Sequence, residues 1–127
     1  MAICKAFLLE NNTSAEFLVN LSNLPAFLYL HKDVYEIVIV GHLDNHFVLK
    51  KRYGKILFCN QPSVKRWIEQ ELKSFRENEE PELHLFQAFV HIPIVEKVNI
   101  FSNTQGQAYK DFEEWSQVRP LTLIKIA

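Results

Sequence analysis

Residues 47–59 read FVLKKRYGKILFC and contain the clearest structural signal of the chain. Two runs rich in apolar and β-branched residues flank Tyr53-Gly54, and glycine at the second position of a two-residue turn is typical of a β-hairpin. The stretch therefore predicts two antiparallel strands, Phe47 to Arg52 and Lys55 to Cys59.

A two-residue turn also predicts how the strands pair. Arg52 is expected opposite Lys55 and Lys50 opposite Leu57, which places His46 and these three cations on one face of the sheet. The face expected to lie against the core carries Phe47, Leu49, Ile56 and Phe58, with Lys51 near its end.

The residues that follow the hairpin predict a helix. Pro62 suits the first turn of a helix, where the missing N–H is harmless. The acidic stretch 77–82, with Pro81, is expected to form a loop after it. The apolar face of this helix is expected to consist of Val64, Trp67, Ile68, Leu72 and Phe75.

The C-terminal part predicts two strands, a helix and a final strand. The strands cover Leu83 to His91 and Ile94 to Phe101, and the helix covers 108–117 after a loop over 102–107. The last strand runs from Leu121 to Ile126. One face of the helix carries Tyr109, Phe112 and Trp115.

Before the hairpin, Ile3 to Leu9 predicts a strand, and the capping-box spacing of Thr13 and Glu16 predicts a helix over about 14–23. Pro25 is expected to end that helix, because the residue before a proline avoids helical angles.

The segment between this helix and the hairpin has two interpretations. Ala26 to His31 and Val34 to Val40 are rich in aromatic and β-branched residues, which favours two strands joined by a turn at Lys32-Asp33. A short helix after Pro25 is the alternative.

The predicted strands come in pairs with helices inserted between the pairs. This order indicates an α+β fold, because an α/β fold would alternate strands and helices one by one. We expect one compact domain over residues 1–127, with a largely antiparallel sheet and about three helices.

Composition excludes several classes of protein. The 127 residues are 48% hydrophobic with only 3 glycines, unlike disordered or collagenous chains. No run approaches the roughly 18 apolar residues of a membrane helix, and the apolar stretch 6–9 is too short for a signal peptide. Cys4 and Cys59 each lie in an apolar stretch and are predicted to be buried free thiols. We expect a cytoplasmic protein.

Positive charge is concentrated in one region. Residues 45–68 contain six cations and no Asp or Glu, whereas the whole chain has a net charge of −1. A cationic hairpin end can bind phosphates, an acidic protein or an anionic ligand, although a hairpin end that merely faces solvent is the simpler interpretation. The predicted partner-binding residues are Lys50, Lys51, Arg52, Tyr53 and Lys55.

A second cluster suggests metal chemistry. His42, Asp44 and His46 are potential ligands at alternate positions, which point the same way on an extended strand. Gly41 and Asn45 favour a turn that would separate the three side chains. We therefore expect no metal, and keep a small metal-dependent nuclease or hydrolase as an alternative function.

The sequence has no nucleophile-elbow pattern and no glycine-rich phosphate loop, and so we expect no cofactor. The resulting hypothesis is a non-enzymatic interaction module that binds a protein partner. A nucleic-acid-binding regulator is the second candidate, and self-association as a homodimer is a further option.

Overall fold

The computed structural model describes residues 3–41, 47–53, 55–91 and 95–127. Within these residues the chain forms eight β-strands, three α-helices and one short 3-10 helix, Leu21–Asn23. The strands are β1 (Ile3–Glu10), β2 (Thr13–Asn20), β3 (Glu36–Gly41), β4 (Val48–Arg52), β5 (Lys55–Cys59), β6 (His84–His91), β7 (Val95–Ser102) and β8 (Thr122–Lys125). The helices are α1 (Leu24–Leu30), α2 (Pro62–Glu77) and α3 (Gln105–Ser116).

All eight strands belong to one sheet, in the order β5-β4-β3-β1-β2-β7-β6-β8. Neighbouring strands are antiparallel except β2 and β7, which run parallel and pair at Leu18 with Ile100 and at Val19 with Phe101. The predicted α+β fold with a largely antiparallel sheet is confirmed.

The hydrophobic core consists of two clusters on opposite faces of the sheet. Cys4 and Val19 belong to the first cluster, whereas their sequence neighbours Ile3 and Leu18 belong to the second. Successive residues of a strand point to opposite faces, so the two clusters must lie on either side of the sheet.

Each cluster has its own helices. The first lies beneath α1 and α2 on the half of the sheet that ends at β5, and contains the buried Phe27 and Ile68. The second lies beneath α3 on the half that ends at β8, and contains the buried Phe112. Each half of the sheet is therefore covered by helices on one face.

The predicted helix over 14–23 is wrong, because these residues mostly form strand β2. Asn11 and Asn12 have φ angles of 49° and 64°, which suits the two central residues of a type I′ turn. Glu10 pairs with Thr13 across this turn, and the Thr13 hydroxyl donates to the Glu10 carbonyl at 2.6 Å. Thr13 therefore closes a hairpin instead of capping a helix.

The predicted strand at Ala26 to His31 is also wrong, and the alternative of a short helix after Pro25 is confirmed. Pro25 lies in the first turn of α1, where it begins the helix instead of ending one. The second predicted strand of this region matches β3.

The other elements follow the prediction closely. β1, the β4–β5 hairpin, α2, β6, β7 and β8 lie where the sequence predicts them, while α3 begins three residues earlier than expected.

Both cysteines are free. Cys4 is buried as predicted, and burial raises the pKa of its thiol to about 12. Cys59 is only half-buried. Among the described helices, none has the length and apolar character needed to cross a membrane.

Candidate interaction surface at the β5 edge

The β4–β5 hairpin carries the predicted partner-binding residues at one edge of the sheet. Arg52 pairs with Lys55 beside the turn, as predicted. Tyr53 occupies the turn with a φ of 47° and is 70% exposed. Its ring meets that of Tyr35 edge to face at 4.9 Å. The tip of the hairpin thus presents a tyrosine supported by a second tyrosine, with Lys55 exposed beside it.

Two of the predicted cations have an acidic partner on the adjacent strand. The Arg52 Nη2 donates to the Glu36 Oε2 at 2.6 Å, and the Lys50 Nζ lies 3.7 Å from the same oxygen. The hydrogen bond from Arg52, more than any other contact, holds the pKa of the Glu36 carboxyl below its usual range. The outer face of β4 is consequently less cationic than its sequence suggests.

Lys51 lies in the interior. Its side chain is only 2% exposed, and its Nζ has no hydrogen-bond partner among the described residues. It is directed to the same side of the sheet as Leu49, as expected from the alternation of β4. A macromolecular partner at the outer face of the hairpin cannot reach this ammonium without a rearrangement.

The pairing of the hairpin departs from the prediction at a β-bulge. Lys51 pairs with Ile56, but Lys50 pairs with Phe58 instead of Leu57, so that β5 has one extra residue. Because of this extra residue, Ile56 and Cys59 pack against the core whereas Phe58 does not. The predicted placement of Phe58 on the core face is therefore wrong.

The bulge leaves two large apolar side chains in solvent. Leu57 and Phe58 are each 54% exposed. Val40 and Val48, which pair with each other on the neighbouring strands, are also exposed. Val40, Val48 and Phe58 thus lie exposed on the face of the sheet that α1 and α2 do not cover.

A groove runs between β5 and α2 on the other face. It has a volume of about 370 Å³ and an apolar floor formed by Ile56 and Leu72. Three cations and one carboxylate surround this floor, and these residues are Lys55, Lys65, Arg76 and Glu69. The groove has an excess of positive charge beside β5, the last strand of the sheet among the described residues.

The metal-ligand candidates His42, Asp44 and His46 lie outside the described residues. Within the described residues, no group of three or more His, Cys, Asp or Glu side chains could hold a metal ion. The expectation that these three residues hold no metal therefore stays a prediction.

Comparison with known proteins gives no family for this chain. No protein-family model, no curated protein and no solved structure matches it.

Sequence reasoning located the hairpin and its cations but missed the apolar half of the surface. A strand with one buried face alternates apolar and polar residues, whereas Ile56, Leu57 and Phe58 are three apolar residues in a row. This run was the available sign that apolar side chains of β5 are exposed. Glu36 and Arg76 were also missed, because both reach the site through tertiary pairing.

Proposed function

We propose that this protein is an interaction module that binds an extended, acidic segment of a protein partner by adding it as a further strand to β5. The observation that carries the proposal is the combination of a free sheet edge at β5 with Leu57 and Phe58, each more than half exposed, on that same strand.

The free edge supports binding through the backbone. β5 pairs with β4 on one side, and no other described strand lies on its outer side. Strand addition uses such unpaired N–H and C=O groups for affinity and pockets for alternate side chains for specificity. Leu57 and Phe58 supply apolar contact area next to this edge, which an isolated, solvated hairpin end does not need.

The groove supports an acidic partner. A strand added to β5 would lie beside α2, where Lys55, Lys65 and Arg76 outnumber Glu69. Acidic side chains of the added strand would gain favourable electrostatic interactions there, and complementary charge increases the rate of association and suppresses wrong partners.

A protein partner is favoured over nucleic acid because three of the four hairpin cations are paired with a carboxylate or buried. Lys50 and Arg52 share Glu36, and Lys51 is interior. A nucleic-acid surface depends on cations that are available to neutralise phosphates. Of the four hairpin cations, Lys55 is the one that is exposed and has no ion pair among the described residues.

The proposal is tested by selecting binders from a displayed library of random peptides. Selected peptides should combine Asp or Glu with alternating apolar residues, and on binding they should shift the backbone amide resonances of residues 55–59. Lys55→Glu combined with Lys65→Glu should weaken binding by about tenfold or more. The control, Lys97→Glu with Lys110→Glu, changes two exposed lysines on the other half of the sheet and should leave affinity unchanged.

The charge-reversal variants should fold normally, because Lys55 is exposed, Lys65 is only half-buried, and surface substitutions usually change stability by about 0.5 kcal/mol or less. Selected peptides without acidic residues, or equal binding by both double variants, would contradict the proposal. So would a dimer in sedimentation that dissociates on Leu57→Lys, because a second copy of the chain would then occupy β5.

A further inference from the structure

A second cavity, next to the groove at β5, is lined in part by the buried Lys51. It has a volume of about 280 Å³ and lies between α1, α2 and the hairpin. Leu28 and Leu72 form its apolar part, and Lys32, Asp33, Lys51 and Arg76 provide its charges.

Lys51 is the unusual member of this cavity. Its side chain is buried, yet its Nζ has no hydrogen bond with any described residue. A buried ammonium without a partner is costly, and native proteins rarely keep one. The Asp33 carboxylate interacts with Lys51 through its charge but forms neither a hydrogen bond nor an ion pair with it in the described structure.

The charges around the cavity do not balance. Three cations line it, from the α1–β3 turn, β4 and α2, and Asp33 is the one acidic residue among the described lining residues. Lys32 is held near the cavity by its contact with the ring of Tyr29, whose centroid lies 4.4 Å from the Lys32 Nζ. Tyr29 is itself held by a 3.4 Å hydrogen bond from its hydroxyl to Glu80.

We propose that this cavity binds a small ligand through an oxyanion group, a carboxylate or a phosphate, which forms an ion pair with the Lys51 ammonium when this side chain turns from its buried position into the cavity.

The chemistry of the lining favours an oxyanion. Charge-assisted hydrogen bonds to a carboxylate or phosphate are short and strong, and an arginine binds either group through two parallel N–H bonds. An oxyanion would supply the acceptor that the Lys51 Nζ lacks and offset the excess of positive charge from Lys32 and Arg76. Leu28 and Leu72 would contact an apolar part of the ligand, as is usual for small-molecule sites.

This site is distinct from the peptide groove. The two share Leu72 and Arg76, but Lys51 lines only the cavity, while Lys55 and Lys65 line only the groove. Lys51→Met therefore tests the cavity, and the Lys55→Glu, Lys65→Glu variant tests the groove. Failure of one proposal leaves the other standing.

The test uses nuclear magnetic resonance of the full chain labelled with carbon-13 at the lysine Cε. The Lys51 signal is identified by its disappearance in Lys51→Met. Sodium phosphate and sodium acetate are titrated separately, with sodium chloride at equal ionic strength as the reference. We expect phosphate, acetate or both to move the Lys51 signal in a saturable way and to raise the pKa of Lys51.

Calorimetric or fluorescence titration then compares variants. Lys51→Met should weaken binding of the active oxyanion by about tenfold or more, since it removes a charge-assisted hydrogen bond and the ion pair. Lys110→Met, an exposed lysine on α3, is the matched control and should bind normally.

The two oxyanions distinguish the kinds of ligand. A response to phosphate alone indicates a phosphorylated ligand, and a response to acetate indicates a carboxylate; either supports the proposal. A Lys51 signal that responds to neither beyond chloride overturns it, as does equal affinity of Lys51→Met and the native protein. The signal is measured on the native chain and so does not depend on the folding of the variant.

Discussion

Asp111 on α3 is the acidic counterpart of Lys51, because it too is an ionisable group in the interior. It is 1% exposed. Its Oδ1 accepts hydrogen bonds from the Gln107 Nε2 at 2.8 Å and the Asn20 Nδ2 at 3.2 Å. Burial raises the pKa of Asp111 in spite of these two bonds, which act in the opposite direction. The carboxylate therefore joins α3 to the end of β2 at a cost that depends on pH.

Asp111→Asn should remove this pH dependence. Because the folded pKa lies above the unfolded value of about 3.9, the folded chain binds more protons than the unfolded chain between these two values, and stability falls as pH rises through that window. The asparagine keeps an acceptor for Asn20 and Gln107 without the charge. Urea midpoints of the variant relative to the native protein should rise with pH above about 4.

Asp111→Ala is the control for this prediction. It removes the acceptor of both amide groups as well as the charge, and so should lower the free energy of unfolding by about 1–3 kcal/mol relative to Asp111→Asn at every pH. Parallel midpoint curves for Asp111→Asn and the native protein would show that the carboxyl titrates alike in the folded and unfolded chains.

Lys51 should make the stability of the folded chain depend on pH with the opposite sign to Asp111. Burial lowers the pKa of Lys51, and the Asp33 charge counteracts this only in part. Between the lowered value and about 10.4, the unfolded chain binds a proton that the folded chain lacks, and stability rises with pH. The charged and titratable groups near Lys51 are Tyr29, His31, Lys32, Asp33, Tyr53 and Arg76.

Lys51→Met should abolish that rise and, with no oxyanion present, should be at least as stable as the native protein near neutral pH. Chemical denaturation across the alkaline range measures both effects. Lys110→Met serves again as the control and should follow the native curve. A Lys51→Met variant that is much less stable at neutral pH would indicate that the ammonium has a stabilising partner.

At the scale of elements, local patterns predicted β1, the β4–β5 hairpin and α2, because in these segments turn chemistry and hydrophobic period agree. Around Thr13 the local signals conflict, because the capping-box spacing predicts a helix where the chain forms strand β2. The Asn11-Asn12 pair was the decisive signal, since asparagine tolerates the positive φ that a type I′ turn requires. Pro25 was ambiguous because proline both follows and begins helices.

The candidate surface was predictable only in part for a similar reason. The positions of Arg52, Tyr53 and Lys55 follow from the turn alone. The exposure of Leu57 and Phe58 depends on a bulge, and a strict alternation of faces does not reveal an extra residue. The pairing of Glu36 with Arg52 requires β3 to lie next to β4, and the local sequence does not determine which strand takes that place.

Within α2, Ile68 should matter more than Trp67. Ile68 is fully buried in the first cluster, whereas Trp67 packs against it while partly exposed. Ile68→Ala should lower the free energy of unfolding by about 2–5 kcal/mol, the range for a truncated core isoleucine. Trp67→Ala should cost less than Ile68→Ala, because part of its surface already faces water. Urea denaturation at one pH ranks the two, and the reverse order would place Trp67 in the core.

At the scale of the whole molecule, two separate clusters imply two nearly independent cores. Ile39 lies in the first cluster and Ile100 in the second, on opposite faces of the sheet. The losses of stability in Ile39→Val and Ile100→Val, each about 0.5–1.5 kcal/mol, should therefore add in the double variant to within about 0.5 kcal/mol. Ile39→Val with Leu49→Val, two substitutions within the first cluster at paired positions, is the comparison in which departure from additivity is expected. A coupling larger than about 1 kcal/mol between Ile39 and Ile100 would contradict the separation.

The two clusters also differ in where their residues fall along the chain. Every buried residue of the first cluster lies between Cys4 and Ile68, whereas the second joins Ile3 and Leu18 to residues 86–123. During synthesis, the α1–α2 half of the sheet can therefore bury its core once α2 has left the ribosome, before β6 exists. The edge of β2 that later pairs with β7 then stays unpaired until β7 has been synthesised. In that interval the nascent chain has two unpaired strand edges, at β2 and at β5, to which chaperones or other nascent chains can bind.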